Sequence, residues 1–289
     1  MAQSEKMEQQ GGNLSKQSPS TYYLKFQKMP FEEDLFHEFK GHKSLSTDQL
    51  PKWTQATKWE RGSRKAVSRN LCGFLNTGLG GTVYCGVLDD GSIVGLKLTQ
   101  YQKDHVVYSL RDLMSRYSPP VPAHRYRVRF VPVLSSDTPE KDREELASVD
   151  TRDLVDEEER KTEHQLRTAH YCWCDKDAKV QYANGVIVTS YVIEISILAW
   201  NPDAAANMGL GDFLNLHPIH SDEDGKINFR RQARLFQYSL QEIASLTRFE
   251  ARNRRVTIID RMQREIAALK QRLPAQNNQV RNAADEGSQ

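Results

Sequence analysis

The stretch from Asn76 to Gly91 constrains the fold of this chain more than any other. Gly80-Gly81 lets the backbone bend where a Cβ would clash, Thr82 to Val87 is rich in β-forming residues, and Asp89-Asp90-Gly91 has the composition of a hairpin turn. A strand entered through a glycine turn and left through a second turn belongs in a sheet, and it delivers a carboxylate to a strand end. Upstream, Glu38-Phe39-Lys40 alternates polar, apolar, polar as a half-buried strand does, so Glu38 and Lys40 share the face opposite Phe39. Between the two, Val67, Leu71, Phe74 and Leu75 recur at helical spacing and predict a helix that starts near Arg64. Further on, Val107, Leu110 and Leu113 predict a helix over 104–114, which Pro119-Pro120 stops. Strands and helices mixed in this order predict an α+β fold, a mixed sheet with flanking helices.

Glu33 and Glu38, with Lys40 beside them and Asp89 at a strand tip, form the inventory a metal-dependent phosphodiester hydrolase needs. Carboxylate oxygens hold Mg²⁺ or Mn²⁺, and a lysine neutralises charge developing on the phosphate. Spacing alone leaves a second reading open, in which Glu and Lys alternate on an ordinary solvated strand face.

Glu33-x4-Glu38-Phe39-Lys40, Gly73-Phe74-Leu75-Asn76-Thr77 with Gly80-Gly81, and Gly86-Val87-Leu88-Asp89-Asp90-Gly91 with Gly95 resemble, in this order, the signature segments of the Schlafen (AlbA_2-type) domain. Phe229-Arg230-Arg231 and Ser239 to Ile243 resemble that family's closing strand and the start of its last helix, so the similarity spans roughly 23–246. The resemblance implies an endoribonuclease for structured RNA such as tRNA, with three acids and a divalent cation. By motif position the acids are Glu33, Glu38 and Asp89, with Lys40 the motif lysine. Leu88 stands where the family has the first Asp of its pair, which makes Asp90 the fallback for the third acid. Small members of the family work as heteromeric assemblies that trim piRNA precursors, and the compact length of this chain fits that mode. A non-catalytic nucleic-acid-binding or assembly subunit is the alternative.

A net charge of +2 with 27% charged residues excludes a chain that is basic throughout, so any RNA-binding surface must be local. Two candidates stand out. Arg61, Arg64 and Lys65, with Arg69, lie on the polar face of the first helix behind Trp53 and Trp59, where aromatics and cations interleave. Arg125, Arg127 and Arg129 alternate with Tyr126, Val128 and Phe130, which reads as a strand over 124–134 with one basic face, either a phosphate track or a charged edge. Residues 137–168 are strongly charged with few large apolar side chains and read as an insertion.

Cys172 and Cys174 with His124 could ligate Zn²⁺. Tyr126 replaces a cysteine of the zinc site that the resemblance implies, and two ordinary strand cysteines are the other reading. Four cysteines in 289 residues are not a disulfide scaffold. No apolar run approaches a membrane span or a signal peptide, so the expectation is a cytoplasmic protein, or a nuclear one, without membrane insertion.

Residues 1–20 and 274–289 are polar and read as disordered tails, flanking a domain over 21–246 and an amphipathic helix over 247–273. In that helix Val256, Ile259, Met262, Ile266, Leu269 and Leu273 follow a three-four spacing, a coiled-coil-like seam through which homo- or hetero-oligomers would form over 256–273.

Overall fold

The computed structural model describes residues 21–50, 65–148, 179–180, 183–184, 190–204 and 214–286, with backbone alone beyond 271. The chain divides into two units, one built from residues 1–199 and 220–236, the other from 200–219 and 237–289.

The first unit is a mixed sheet of β1 (Tyr23–Leu24), β2 (His37–Lys40), β3 (Gly81–Cys85), β4 (Leu96–Lys97), β5 (Tyr126–Leu134) and β6 (Ser190–Ile197). Its order is β1-β5-β6-β3-β2, with β4 also paired to β6. β6 is buried along its whole length, and it runs antiparallel to β3, β4 and β5. β2 pairs with β3 in parallel, from His37 opposite Thr82 to Lys40 opposite Cys85. Parallel neighbours need a long crossover, which residues 41–80 supply with helix α1 (Val67–Thr77). Glycines make the return possible. A Cβ on Gly81 would lie 2.3 Å from the Phe74 ring, so only glycine lets the strand start directly against the helix it follows.

Helix α2 (Gln100–Arg116) is opened by a capping box, in which Thr99 Oγ1 accepts the Gln102 N–H at 3.0 Å and the Gln102 side chain accepts the Thr99 N–H at 3.2 Å. Leu71, Phe74 and Leu75 of α1 and Val106, Leu110, Leu113 and Met114 of α2 join Val83, Ile193, Ile195 and Ile197 in the larger core. A smaller cluster of Phe39, Tyr84, Val87, Ile93 and Val192 fills the sheet's other face. Both predicted helices are therefore present, and α1 buries polar side chains as well as apolar ones. Ser68, Asn70 and Asn76 are as buried as its leucines, because a second layer covers them. That layer is the segment from His220 to Asn228 and the hairpin of β7 (Phe229–Arg231) and β8 (Arg234–Phe236). Gly73 admits it: a Cβ there would stand 2.8 Å from Leu235 Cδ2. Helix α3 (Glu140–Ser148) is the described part of the charged insertion.

The second unit consists of residues 200–219 and α4 (Leu240–Glu286). Ser239 caps the helix, its N–H and Oγ donating to Glu242 Oε2 at 2.7 and 2.8 Å. His217 Nδ1 pairs with Glu250 Oε2 at 2.7 Å, Arg254 donates to the Leu214 carbonyl at 3.3 Å and pairs with Asp203, and Ile258 is buried. One helix face at four-residue spacing thus serves the unit's own packing. The helix does not end at 273 as its sequence predicts, but continues through Pro274 to Glu286.

Candidate functional site

β2 presents Phe39 to the smaller cluster and turns Glu38 and Lys40 to the opposite side, beside Val83 and Cys85 of the larger core. The shared face predicted for Glu38 and Lys40 is present, but it is not solvated. Glu38 is 7% exposed, Lys40 Nζ donates to its Oε1, and the Arg230 guanidinium donates to its Oε2 at 2.6 Å. Arg230 has no exposed side-chain surface. Its remaining donors reach the Asp34 carbonyl at 2.7 Å, the His37 carbonyl at 2.8 Å and Asn70 Oδ1 at 3.1 Å, while the guanidinium lies 4.9 Å from the centre of the Phe74 ring. A buried carboxylate flanked by two cations is stable because each charge has partners in place of lost water. Arg230 was not among the residues singled out from sequence. Its strand was legible as Phe229-Arg230-Arg231, but nothing in that triplet says which arginine turns inward.

Glu33 joins this pair through a turn. Asp34 Oδ1 accepts the N–H groups of Phe36 and His37 at 2.7 and 2.8 Å and folds the chain back, and Glu33 Oε1 then accepts the Phe39 N–H at 2.8 Å. The turn is made within the four residues that separate Glu33 from Glu38. Burial raises the Glu33 carboxyl above its ordinary range, the nearby Glu38 charge raises it further, and Lys40 and Arg230 oppose the rise. Two acids are thus electrostatically linked at one strand.

The third acid lies on the turn after β3. Gly86 N–H donates to the Lys40 carbonyl at 2.7 Å, and a Cβ on Gly41 would lie 3.1 Å from Leu88 Cδ2, so the turn is at the Lys40 end of β2. Asp89 is exposed there. Asp90 serves the turn itself: its carboxylate accepts the Ser92 N–H at 2.9 Å and pairs with Lys28 at 2.6 Å, which holds it down at about 2. Asp89 is therefore the freer of the two for a ligand.

Residues 33–171 match the family model described as Schlafen, AlbA_2. This stretch is a Schlafen AlbA_2 domain. The match starts at Glu33 itself, and it takes in β2, α1, β3, the Asp89 turn, α2, β5 and α3. Arg230, which holds Glu38, comes from beyond it. The motif asparagine of the Schlafen domain, Asn76, is a structural clamp: its Nδ2 donates to the His220 and Asn228 carbonyls at 2.8 and 2.9 Å, and its Oδ1 accepts the His220 N–H at 2.7 Å.

Among the described residues of the Schlafen domain, no three His, Cys, Asp or Glu side chains converge as a metal-holding group. The donors nonetheless suit Mg²⁺ or Mn²⁺ chemically, being hard carboxylate oxygens, and each oxygen of Glu38 keeps a second lone pair beyond its hydrogen bond.

The expected basic surfaces are only partly assembled. Arg61 and Arg64 lie outside the described residues, Lys65 is exposed, and Arg69 pairs with Asp224 at 3.3 Å. On β5 the three-arginine face is corrected to two: Arg125 belongs to a 3₁₀ turn before the strand and is 2% exposed, its guanidinium donating to the Leu198 carbonyl. Arg127 is exposed, and Arg129 pairs with Glu194 at 3.2 Å. Alternation placed Arg125 with the others, but the strand begins one residue too late for it. Of the zinc candidates, His124 is exposed in that same turn, and Cys172 and Cys174 fall outside the described residues. No helix among the described residues is long and apolar enough to cross a membrane.

Proposed function

We propose that this Schlafen AlbA_2 domain is a metal-dependent endoribonuclease, or the catalytic subunit of a composite one, acting on small structured RNA or small-RNA precursors such as those of piRNA. Family membership points to nucleic acid. The observation that carries the catalytic reading is the linked pair Glu33 and Glu38, two carboxylates that a turn brings together at β2 with Lys40 and Arg230 around them. Glu33, Glu38 and Asp89 would hold Mg²⁺ or Mn²⁺. Bound there, the cation would supply Lewis-acid polarisation of the phosphodiester and a more acidic water. Burial and the neighbouring Glu38 raise the Glu33 carboxyl above its ordinary range, so binding of the cation there would favour its ionised form. Arg230 fixes the orientation of Glu38, and Lys40, which spends donors on Glu38 and the Phe39 carbonyl, retains one N–H for a phosphate oxygen. Arg127 and Lys65 offer exposed charge to the RNA backbone.

A second reading, a nucleic-acid-binding or assembly subunit without chemistry, is favoured by the engagement of both Glu38 oxygens. The two readings separate in one assay. Purified chain is incubated with a structured RNA and Mn²⁺, or with EDTA, alongside Glu33→Gln and Glu38→Gln. The catalytic reading expects Mn²⁺-dependent cleavage lost in both variants while circular dichroism is unchanged. RNA binding without cleavage by the wild type establishes the second reading, and equal cleavage by the variants removes these acids from the chemistry. The seam over 256–273 would join such subunits into homo- or hetero-oligomers.

A further inference from the structure

The second unit carries an apolar stripe that its own packing does not use. Val256, Ile259, Met262, Ile266 and Leu269 on α4 are 46–59% exposed, whereas the helix meets residues 200–219 through Glu250 and Arg254 on a different face, where Ile258 is also buried, and Arg261 reaches Asp203 at 3.2 Å. Five large apolar side chains in a row at three-four spacing are far more than scattered surface hydrophobics. They need a partner.

We infer that the partner is a second copy of this chain, with the two α4 helices paired in parallel and in register through Ile259, Met262, Ile266 and Leu269. This commits the seam to one of the oligomers allowed above, and it does not rest on nuclease activity. Written as heptads, the two isoleucines take the a positions and Met262 and Leu269 the d positions. β-Branched residues at a with unbranched-at-Cβ residues at d favour two parallel strands, because the side-chain vectors at a accommodate branching and those at d do not. Charge agrees with the geometry. Glu265 falls at g and Lys270 at the following e, so in a parallel pair Glu265 of each copy faces Lys270 of the other, twice by symmetry. In an antiparallel pair Glu265 would instead meet the cationic Arg272 and Lys270 the neutral Gln263, so the a/d branching selects the parallel pair and exchange of the charges at 265 and 270 tells the two orientations apart. The sequence continues the seam with Leu273 at the next a position, but it remains short, so the dimer should be weak, in the micromolar range.

Sedimentation equilibrium on the full chain tests this. The wild type should show a monomer–dimer equilibrium, and Ile266→Asp should be monomeric, weakening association by at least about 100-fold. Glu265→Lys should weaken it by roughly ten-fold, since two attractions become two repulsions, and adding Lys270→Glu should restore it. A wild type monomeric at ~100 μM, a trimer, or failure of the double exchange to restore association overturns the proposal. Glu33→Gln should dimerise as the wild type does, so a chain without cleavage activity leaves this result intact.

Discussion

At Glu38 the decisive fact is that its neighbours are chosen as carefully as the carboxylate itself. Arg230 is buried without any exposed side-chain surface and its charge is balanced by Glu38. Removing either partner strands the other in a low-dielectric site, so Glu38→Ala and Arg230→Met should each lose about 3–5 kcal/mol in urea unfolding, with Glu38→Gln milder because it keeps an acceptor. Alanine is thus the wrong probe of catalysis here. Glu33 differs, since its carboxyl is raised by burial and by Glu38. In the window between the ordinary glutamate range and its raised value, the folded state binds more protons than the unfolded one, so its contribution to stability falls as pH rises through that window. Glu33→Gln, which keeps an acceptor for the Phe39 N–H, should therefore be at least as stable as the wild type above the window and lose any advantage below it. Thermal melts from pH 4 to pH 8 check the sign. In the same window Mn²⁺ affinity of the wild type should rise with pH as the proton is displaced, and calorimetry in two buffers would read the released proton.

Among the elements, α1 shows how local pattern and tertiary context part company. Its apolar spacing predicts the helix, but three of its polar residues, Ser68, Asn70 and Asn76, do not face solvent. They are instead buried against the 220–231 segment, which lies about 150 residues away in sequence, and no helical periodicity signals a second layer arriving from so far. The entry to β3 is equally unforgiving. A Cβ on Gly80 would stand 2.5 Å from the Ile197 carbonyl oxygen on a residue with φ of 76°, so Gly80→Ala should destabilise by about 2 kcal/mol or more, seen as a lower urea midpoint. On β5 the effect of charge should be uneven. Arg127→Glu should weaken RNA binding and reduce the slope of log affinity against log salt by about 1. Arg125→Gln should act through stability instead, because its guanidinium is turned to the Leu198 carbonyl, away from any phosphate.

For the whole molecule, the two units divide the labour. The first holds the acids and their cations, and the second carries an exposed apolar helix. If α4 pairs with its copy, folding of the second unit is linked to association, and its thermal midpoint should rise with protein concentration while that of Ile266→Asp stays constant. By itself the sequence determined the α+β class, the strand carrying Glu38 and Lys40, the turn bearing Asp89, both helices of the larger core and the apolar stripe on α4. All of these depend on short-range periodicity and on glycine or proline at turns, which neighbouring residues alone dictate. Tertiary structure decided which charges are buried. Arg230 meets Glu38 across 192 residues, Arg125 turns inward while Arg127 does not, and Asn76 clamps a distant loop, because desolvation and pairing depend on what the folded chain places overhead and not on what precedes or follows in sequence.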